Sequence, residues 1–487
     1  MNKTVLVAID IGTSGVRVEV YDTGGQLIEA GRSPLHQQTP DAWIDALRSA
    51  TPAYLRRCYD CEKHVTADGT SGTFLLVGKA GEVVSGPHMY YEADEESYGL
   101  AKGLVDEEVA KRVQLNAESP IVKLFGIRRR NSTTWSRSRW VIPQATWLLY
   151  RLCGYFPDHP VTDYTNALKL GLDITAPSLT YVREAYDSLG LDLDKLPPLA
   201  PSGTPLCRAS GGLASELGLT GATVYNGMTD GNASALASGA LSEGEASVYT
   251  GSTTVVKVVS NKVIPHPSIY YHVHPVSGYL ASAASGFTGA FLTWFSEKVI
   301  GVSVEEAIKY AEAAKGDQPV FFPPADRAPF YVSEAMASLL NLTPDPSEQR
   351  ENAIGRLVRG VLVGITYMER WLLDFMESVT GVKIREVGIA GGTSRSRYWN
   401  ELRRQLYGKR ISVYGDSIAK GALVPVLVGE PFKMTISEVK AYFLKPIVAL
   451  EPRAPGKSPS VISNYMDAWA KVIDAITSYK ADRSASP

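Results

Sequence analysis

The chain has 487 residues, and its 49 Lys and Arg nearly balance its 51 Asp and Glu, for a net charge of -2. That balance excludes a global basic field for nucleic acid or an anionic membrane. With 45% hydrophobic and 21% charged residues, the composition is that of a soluble globular protein of two or three domains, each able to bury a core.

No apolar run approaches the roughly 18 residues of a membrane span. The opening MNKTVLVAIDIGTSG enters a strand-like run without a leader-like apolar stretch, so a cytoplasmic location is expected. The 4 cysteines are too few for a disulfide framework in a chain this long. Cys58 and Cys61 form a C-x-x-C read as two thiols on one helix, and Cys153 and Cys207 lie far off in unrelated contexts.

In chain order, Thr4 to Ile9 is an apolar, β-branched strand, Asp10 to Gly15 a turn, and Val16 to Tyr21 an alternating strand. After the turn Asp22 to Gly25, a third strand spans Gln26 to Ala30, completing an antiparallel meander. Pro197 to Pro205 reads as a loop and Gly231 to Leu241 as a small-residue helical run. Glu245 to Tyr249, the turn Thr250 to Thr253 and Thr254 to Val259 repeat the opening hairpin half a chain later. Two related domains are therefore expected, 1–240 and 241–478, followed by a disordered tail, 479–487. A long packed helix is expected over Val358 to Val379, and Gly391-Gly392-Thr393 precedes a helix over Arg397 to Tyr407.

Two Gly/Thr/Ser tips suit phosphate, because small residues let backbone N–H groups approach and hydroxyls add donors. Asp10, ending a buried strand, can hold a hydrated Mg²⁺ beside nucleotide phosphates, although an Asp-Gly turn is often only a turn. His266, His272 and His274 lie in a Pro-rich stretch that offers nothing to complete a metal site. Arg128 to Arg130 reads as a solvated face, and Trp135, Trp140 and Trp147 as core rather than a nucleic-acid stacking platform.

Six segments in order resemble the FGGY carbohydrate kinases over nearly the whole chain. They are VLVAIDIGTSGVRVEVYDTGGQLI, IPQATWLLYRLCGYFPDHPVTDYTNALKLGLDI, LGLDLDKLPPLAPSGTPL, VYNGMTDGNASALASGAL, YTGSTTVV and VGIAGGTSRSRYWNELRRQLYGKRISV. The resemblance implies an α/β fold of two actin/ribonuclease-H-like (ASKHA) domains flanking a central cleft, and ATP-dependent phosphorylation of a sugar or polyol. Asp230 matches the general base, a role that needs a carboxylate placed to take the proton of the attacking hydroxyl. The plainer reading of Asp230 is a helix cap, and both roles can coexist.

The resemblance sets the β- and γ-phosphates near Gly12, Thr13 and Ser14 on one side and Gly251, Ser252 and Thr253 on the other. Mg²⁺ is expected to bridge phosphate oxygens, with Asp10 binding it directly or through water. Arg17 is either a cleft residue reaching substrate or an exposed strand residue. Gly391 and Gly392 are expected to lie against adenosine, with Asn400 as the polar contact to the base. Thr393 stands where the family usually has a third Gly. Asp416 stands where it often has Glu, and Lys420 is an unusual charge in an apolar pattern that could face solvent at the nucleotide mouth.

The stretch Asp68-Gly69-Thr70-Ser71-Gly72-Thr73 lacks the Gln, Met and His of xylulose-type members and looks like the D-ribulokinase-like branch. Thr70 and Ser71 are then short hydroxyl contacts to substrate, alongside Asp10, Arg17 and Asp230. Asp94 and Ser285 to Gly289 are further candidates for the pocket wall. The expected reaction is D-ribulose to D-ribulose 5-phosphate. D-Xylulose, another ketose or a polyol is the alternative within the family, and a non-catalytic nucleotide-binding regulator the alternative outside it. A small-molecule sugar is the expected partner, with no nucleic acid and no membrane; a homodimer is left open.

Overall fold

In a computed structural model, residues 3–176, 178–323, 337–343, 345–415, 417–452, 464–472 and 474–475 are described. Asp416 and the tail 479–487 lie outside them. The N-terminal run forms strands β1 (Thr4–Ile11), β2 (Gly15–Asp22) and β3 (Leu27–Pro34). The third strand runs four residues past its expected end, because β2 continues to offer it partners as far as Gly15↔Pro34. Val5 to Ile9 are wholly buried, the burial on both faces that an unbroken apolar run predicts for a central strand.

The first sheet adds β4 (Glu62–Gly69), β5 (Pro205–Arg208), β6 (Thr223–Tyr225) and β7 (Met228–Thr229). Its order is β5-β6-β4-β1-β2-β3, with β7 beside β4. The meander is antiparallel, whereas β4 runs parallel to β1 and β6. The second sheet carries β8 (Glu245–Thr250), β9 (Thr253–Ser260), β10 (Tyr279–Phe287), β11 (Glu386–Ala390), β12 (Arg410–Val413) and β13 (Val448–Leu450), in the order β10-β9-β8-β11-β12-β13, with the short strand Tyr270–Val273 on the outer edge of β10. It too is an antiparallel meander continued by parallel strands, with β13 closing the edge antiparallel to β12. The repeat suggested by the two hairpins thus extends to whole sheets.

Packing divides the chain into two units. One holds Met1–Ala237, His272–Gly278 and Ser417–Lys445; the other holds Ser238–Tyr271, Tyr279–Asp416 and Pro446–Pro487. A single cut near residue 240 does not describe Ser417–Lys445, which returns to the first unit. The reason is packing: in that segment a short helix at Ala419–Ala422 lies against the helix at Asp230–Ala237 and against β1 and β4.

In the first unit a buried core joins the sheet to α1 (Pro40–Ala50) and α2 (Gln144–Cys153). In the second, a long helix, Arg350–Thr380, buries Ile354, Val358, Val361, Ile365, Met368 and Leu372 along one face. Among the described residues no helix is long and apolar enough to cross a membrane.

Two cysteine expectations are corrected. Cys153, at the end of α2, is disulfide-bonded to Cys207 on β5, with Cα atoms 5.9 Å apart. Folding brings together residues 54 apart in sequence, which spacing alone does not reveal. Cys58 and Cys61 are also joined and do not share a helix, since the helix Ala53–Arg57 ends at Cys58.

Candidate active site

Asp10 stands one residue from the end of β1, opposite Arg17 on β2 and opposite Asp68 on β4. β7 sets Met228 against Asp68, so Asp230 follows two residues later. Burial, then the charge of Asp230, pushes the Asp10 carboxyl up to about 6, with Arg17 opposing. Asp68 is fully buried, and among the described residues neither of its oxygens meets a hydrogen-bond donor. Burial and the neighbouring Asp10 and Asp230 hold its carboxyl well above the usual range. In the sequence, Asp68 stands out only as the first residue of the Asp68–Thr73 stretch. The available signal was an Asp-Gly at the end of a buried strand parallel to β1.

The tip between β1 and β2 exposes Thr13 and Ser14, and the Gly12 N–H donates to Gly15 O at 3.0 Å. Gln38 Nε2 donates to Thr13 O at 2.7 Å while Gln38 Oε1 accepts from Trp43 Nε1 at 2.8 Å, so a core tryptophan steadies the tip. Arg17 lies 3.7 Å from Glu19 and is about a quarter exposed, intermediate between its two expected roles.

At the end of β4 the Thr70 hydroxyl and N–H both donate to Gln144 Oε1, at 2.8 and 3.0 Å, and the hydroxyl lies 2.7 Å from Thr73 Oγ. Thr70 is thereby engaged inside the loop. Ser71 Oγ, next along, is buried and meets no hydrogen-bond partner among the described residues.

Asp230 opens the helix α4 (Asp230–Ala237), and its Oδ1 accepts from Gly231 N at 2.5 Å. The residue before it is held by the Thr162-Asp163-Tyr164-Thr165-Asn166-Ala167 segment. Buried Asp163 caps α3 (Tyr164–Ala167) and accepts from Thr165 and Asn166. Thr165 Oγ in turn accepts from Thr229 N at 2.9 Å, and Asn232 Nδ2 donates to Thr229 Oγ at 2.7 Å. The position of Asp230 is therefore fixed by hydrogen bonds on both sides.

In the second unit the β8–β9 turn is closed by Gly251 N to Thr253 O at 3.0 Å, and Ser252 O accepts from Thr288 N and Ala290 N. Gly391 follows β11 with φ of +86°, a conformation an L side chain resists, and Gly392 is exposed. Thr393 Oγ accepts from Arg403 Nη2 at 3.2 Å. Asn400 is mostly buried; its Nδ2 donates to Ser394 O at 2.7 Å and its Oδ1 accepts from Arg403 Nη1 at 3.2 Å.

Other candidates are used elsewhere. Asp94 caps the helix Glu95–Ala101 and pairs with Arg130 at 2.5 Å. Lys420 does not face solvent: its Nζ donates to Gly25 O at 2.9 Å over the rings of Tyr21 and Phe443. Trp135, Trp140 and Trp147 are core residues. Among the described residues no cluster of possible metal ligands includes His266, His272 or His274.

Residues 246–424 match the C-terminal domain of the FGGY family of carbohydrate kinases. The chain carries that family's C-terminal domain. Along nearly its whole length it is 22% identical to a xylulose kinase of Staphylococcus epidermidis, covering 93% of each chain. It is 23% identical to an autoinducer-2 kinase of Escherichia coli K12, covering 90% of this chain and 88% of that one.

A xylulose kinase structure from Rhodospirillum rubrum superposes with a TM-score of 0.78 at 18% identity, over 98% of this chain and 99% of that one. A Plasmodium falciparum glycerol kinase with ADP gives 0.82 at 15%, over 97% and 98%. These likenesses show the two-domain ASKHA-like fold. The matched domain is that of carbohydrate kinases, and the relatives named are kinases, which are phosphotransferases.

Proposed function

We propose that this chain is an FGGY kinase that transfers the γ-phosphate of ATP to the terminal hydroxyl of D-ribulose, giving D-ribulose 5-phosphate and ADP, in the cytoplasm. The observation that carries the reading is the placement of Asp230. It opens a helix behind a strand end held by Thr165 and Asn232, beside Asp10. A carboxylate fixed in this way can take the hydroxyl proton as the oxygen attacks phosphorus.

Gly12, Thr13 and Ser14 are assigned to the ATP phosphates, as are Gly251, Ser252 and Thr253, through hydroxyls and the backbone N–H groups not already used within each turn. Gly391, Gly392, Thr393 and Asn400 hold the adenosine end. The Asp10 carboxylate, with Asp68 and Asp230 near it, offers the oxygen ligands that Mg²⁺ takes, an ion that keeps much of its water and binds through one or two carboxylates beside phosphate. Asp10 would hold the ion, which when bound neutralises charge developing on the phosphate oxygens. Asp68 Oδ1 and Oδ2, buried without donors among the described residues, place a second carboxyl behind Asp10.

Ser71 supports the ribulose reading. Among the described residues its hydroxyl meets no hydrogen-bond partner, which leaves it to a sugar hydroxyl, while Thr70 holds the loop. Arg17, the strand partner of Asp10, is assigned to the same substrate end. D-Xylulose is the second reading, favoured by the xylulose kinases among the relatives. The test is sugar-dependent ADP release with Mg-ATP over D-ribulose, L-ribulose, D-xylulose, L-xylulose, glycerol and erythritol. A clear preference for D-ribulose supports the assignment; equal or faster turnover of D-xylulose replaces it. ATP binding with no phosphorylation across the panel revives the regulator reading.

A further inference from the structure

The second unit contains an ion pair with no solvent exposure on either side: Glu369, on the long helix α5 (Arg350–Thr380), and Arg403, on α6 (Arg397–Tyr407). Glu369 Oε1 accepts from Arg403 Nη2 at 2.8 Å and Thr250 Oγ at 2.7 Å. Glu369 Oε2 accepts from Arg403 Nε at 3.0 Å and Tyr407 Oη at 2.7 Å. All four acceptor positions of the carboxylate are filled. Arg403 gives two further donors to Thr393 Oγ and Asn400 Oδ1, both at 3.2 Å, and its guanidinium lies 4.5 Å from the centre of the Trp399 ring.

A buried pair of this kind contributes little net stability over apolar side chains of the same size, because taking both charges out of water offsets their attraction. What distinguishes this one is where its outer bonds go. Thr250 is the last residue of β8, directly before Gly251, and its hydroxyl also meets Thr254 Oγ at 3.2 Å, which meets Thr288 Oγ at 3.0 Å. At the other end Thr393 and Asn400 belong to the segment after β11. Glu369 therefore touches the base of the phosphate hairpin, and Arg403 touches the loop assigned to adenosine. The hydroxyl of Thr393, where relatives are expected to carry Gly, is the group that Arg403 grips.

We propose that Glu369 and Arg403 are positioning residues that lock the β8–β9 phosphate hairpin and the Gly391–Thr393 loop in one fixed register, with Thr250 and Thr393 as the two ends of the lock. The inference rests on the nucleotide reading of these segments. One nucleotide spans both, so loosening either end misplaces the other.

The test is calorimetric binding of ADP and of adenosine to the full chain, which needs no knowledge of the sugar. The variants are Thr250→Val, Thr393→Val, the double variant and Thr393→Ser; the Val changes remove single hydroxyls without stranding a buried charge. Each Val variant is expected to weaken ADP binding about fivefold, the scale of one net hydrogen bond. The double variant is expected to lose little more than either single one, far short of the product of the two, and Thr393→Ser to restore binding. Thr250→Val should also weaken adenosine, which has no phosphate for a purely local contact to reach.

Losses that multiply, or adenosine binding untouched by Thr250→Val, would overturn the lock while leaving the nucleotide site standing. Failure of the unaltered chain to bind ADP would overturn the nucleotide reading itself. Thermal midpoints of the four variants close to that of the parent chain confirm that binding, not folding, is being read.

Discussion

Asp10 and Asp68 face each other as register partners on adjacent parallel strands, and among the described residues the buried member of the pair has no donor to satisfy it. Two acceptor carboxylates side by side repel unless one carries a proton. Asp68 is the more buried and is the one held well above the ordinary range. The folded state thus keeps a proton that the unfolded chain releases near pH 4.

Stability should therefore fall as pH rises above about 4, until Asp68 has lost its proton in the folded state too. Asp68→Asn keeps the shape and gives Asp10 a permanent amide donor. It is expected to flatten that slope and to be at least as stable as the parent at pH 7. Urea titrations from pH 5 to 8 check this; an unchanged slope in Asp68→Asn contradicts it.

Lys420 gives the opposite slope. Burial pushes its ammonium down to about 8. Between there and the ordinary Lys value near 10.4, the unfolded chain binds the proton and the folded chain does not. Stability contributed by this group should rise with pH across that window. In Lys420→Met the rise should be smaller than in the parent, measured by denaturant midpoints at pH 7.5, 8.5 and 9.5.

The Cys153–Cys207 bond ties α2 to β5 across 54 residues. Closing a loop of that length restricts the unfolded chain and stabilises by about 2–4 kcal/mol. Cys153→Ser, or reduction, should lower the unfolding free energy by that amount while leaving ADP binding intact. A reductant-insensitive melting temperature would count against the bond.

Gly421 lies so close to α4 that a Cβ there would come within 1.9 Å of Ala233 O. Gly421→Ala must push the helix carrying Asp230. Overpacking on this scale costs about 1–3 kcal/mol, and the shift should cut kcat at least tenfold. Stability and steady-state rates measured together would show it; full activity would mean that the two helices slide freely.

Much of the fold was legible because its signals are local. The apolar run of β1, the paired small-residue tips and the helix over Arg397–Tyr407 are each readable within a dozen residues. What sequence did not reveal depends on distant partners. The return of Ser417–Lys445 to the first unit follows from Gly421 fitting against Ala233. The Cys153–Cys207 bond and the Glu369–Arg403 pair join residues with no periodic relation. Asp68 heads the Asp68–Thr73 stretch with no role of its own in the sequence, and only the parallel register sets it beside Asp10. Lys420 looked solvent-facing because its partner, Gly25 O, lies 395 residues away.

The most direct test of the account is sugar-dependent ADP release by the parent chain and by Asp230→Ala, assayed side by side with Mg-ATP and D-ribulose. The account predicts clear turnover in the parent and its loss, by at least a thousandfold, in a variant that still folds and still binds ADP. Turnover that survives in Asp230→Ala would mean that another group takes the proton, and the catalytic assignment would fall.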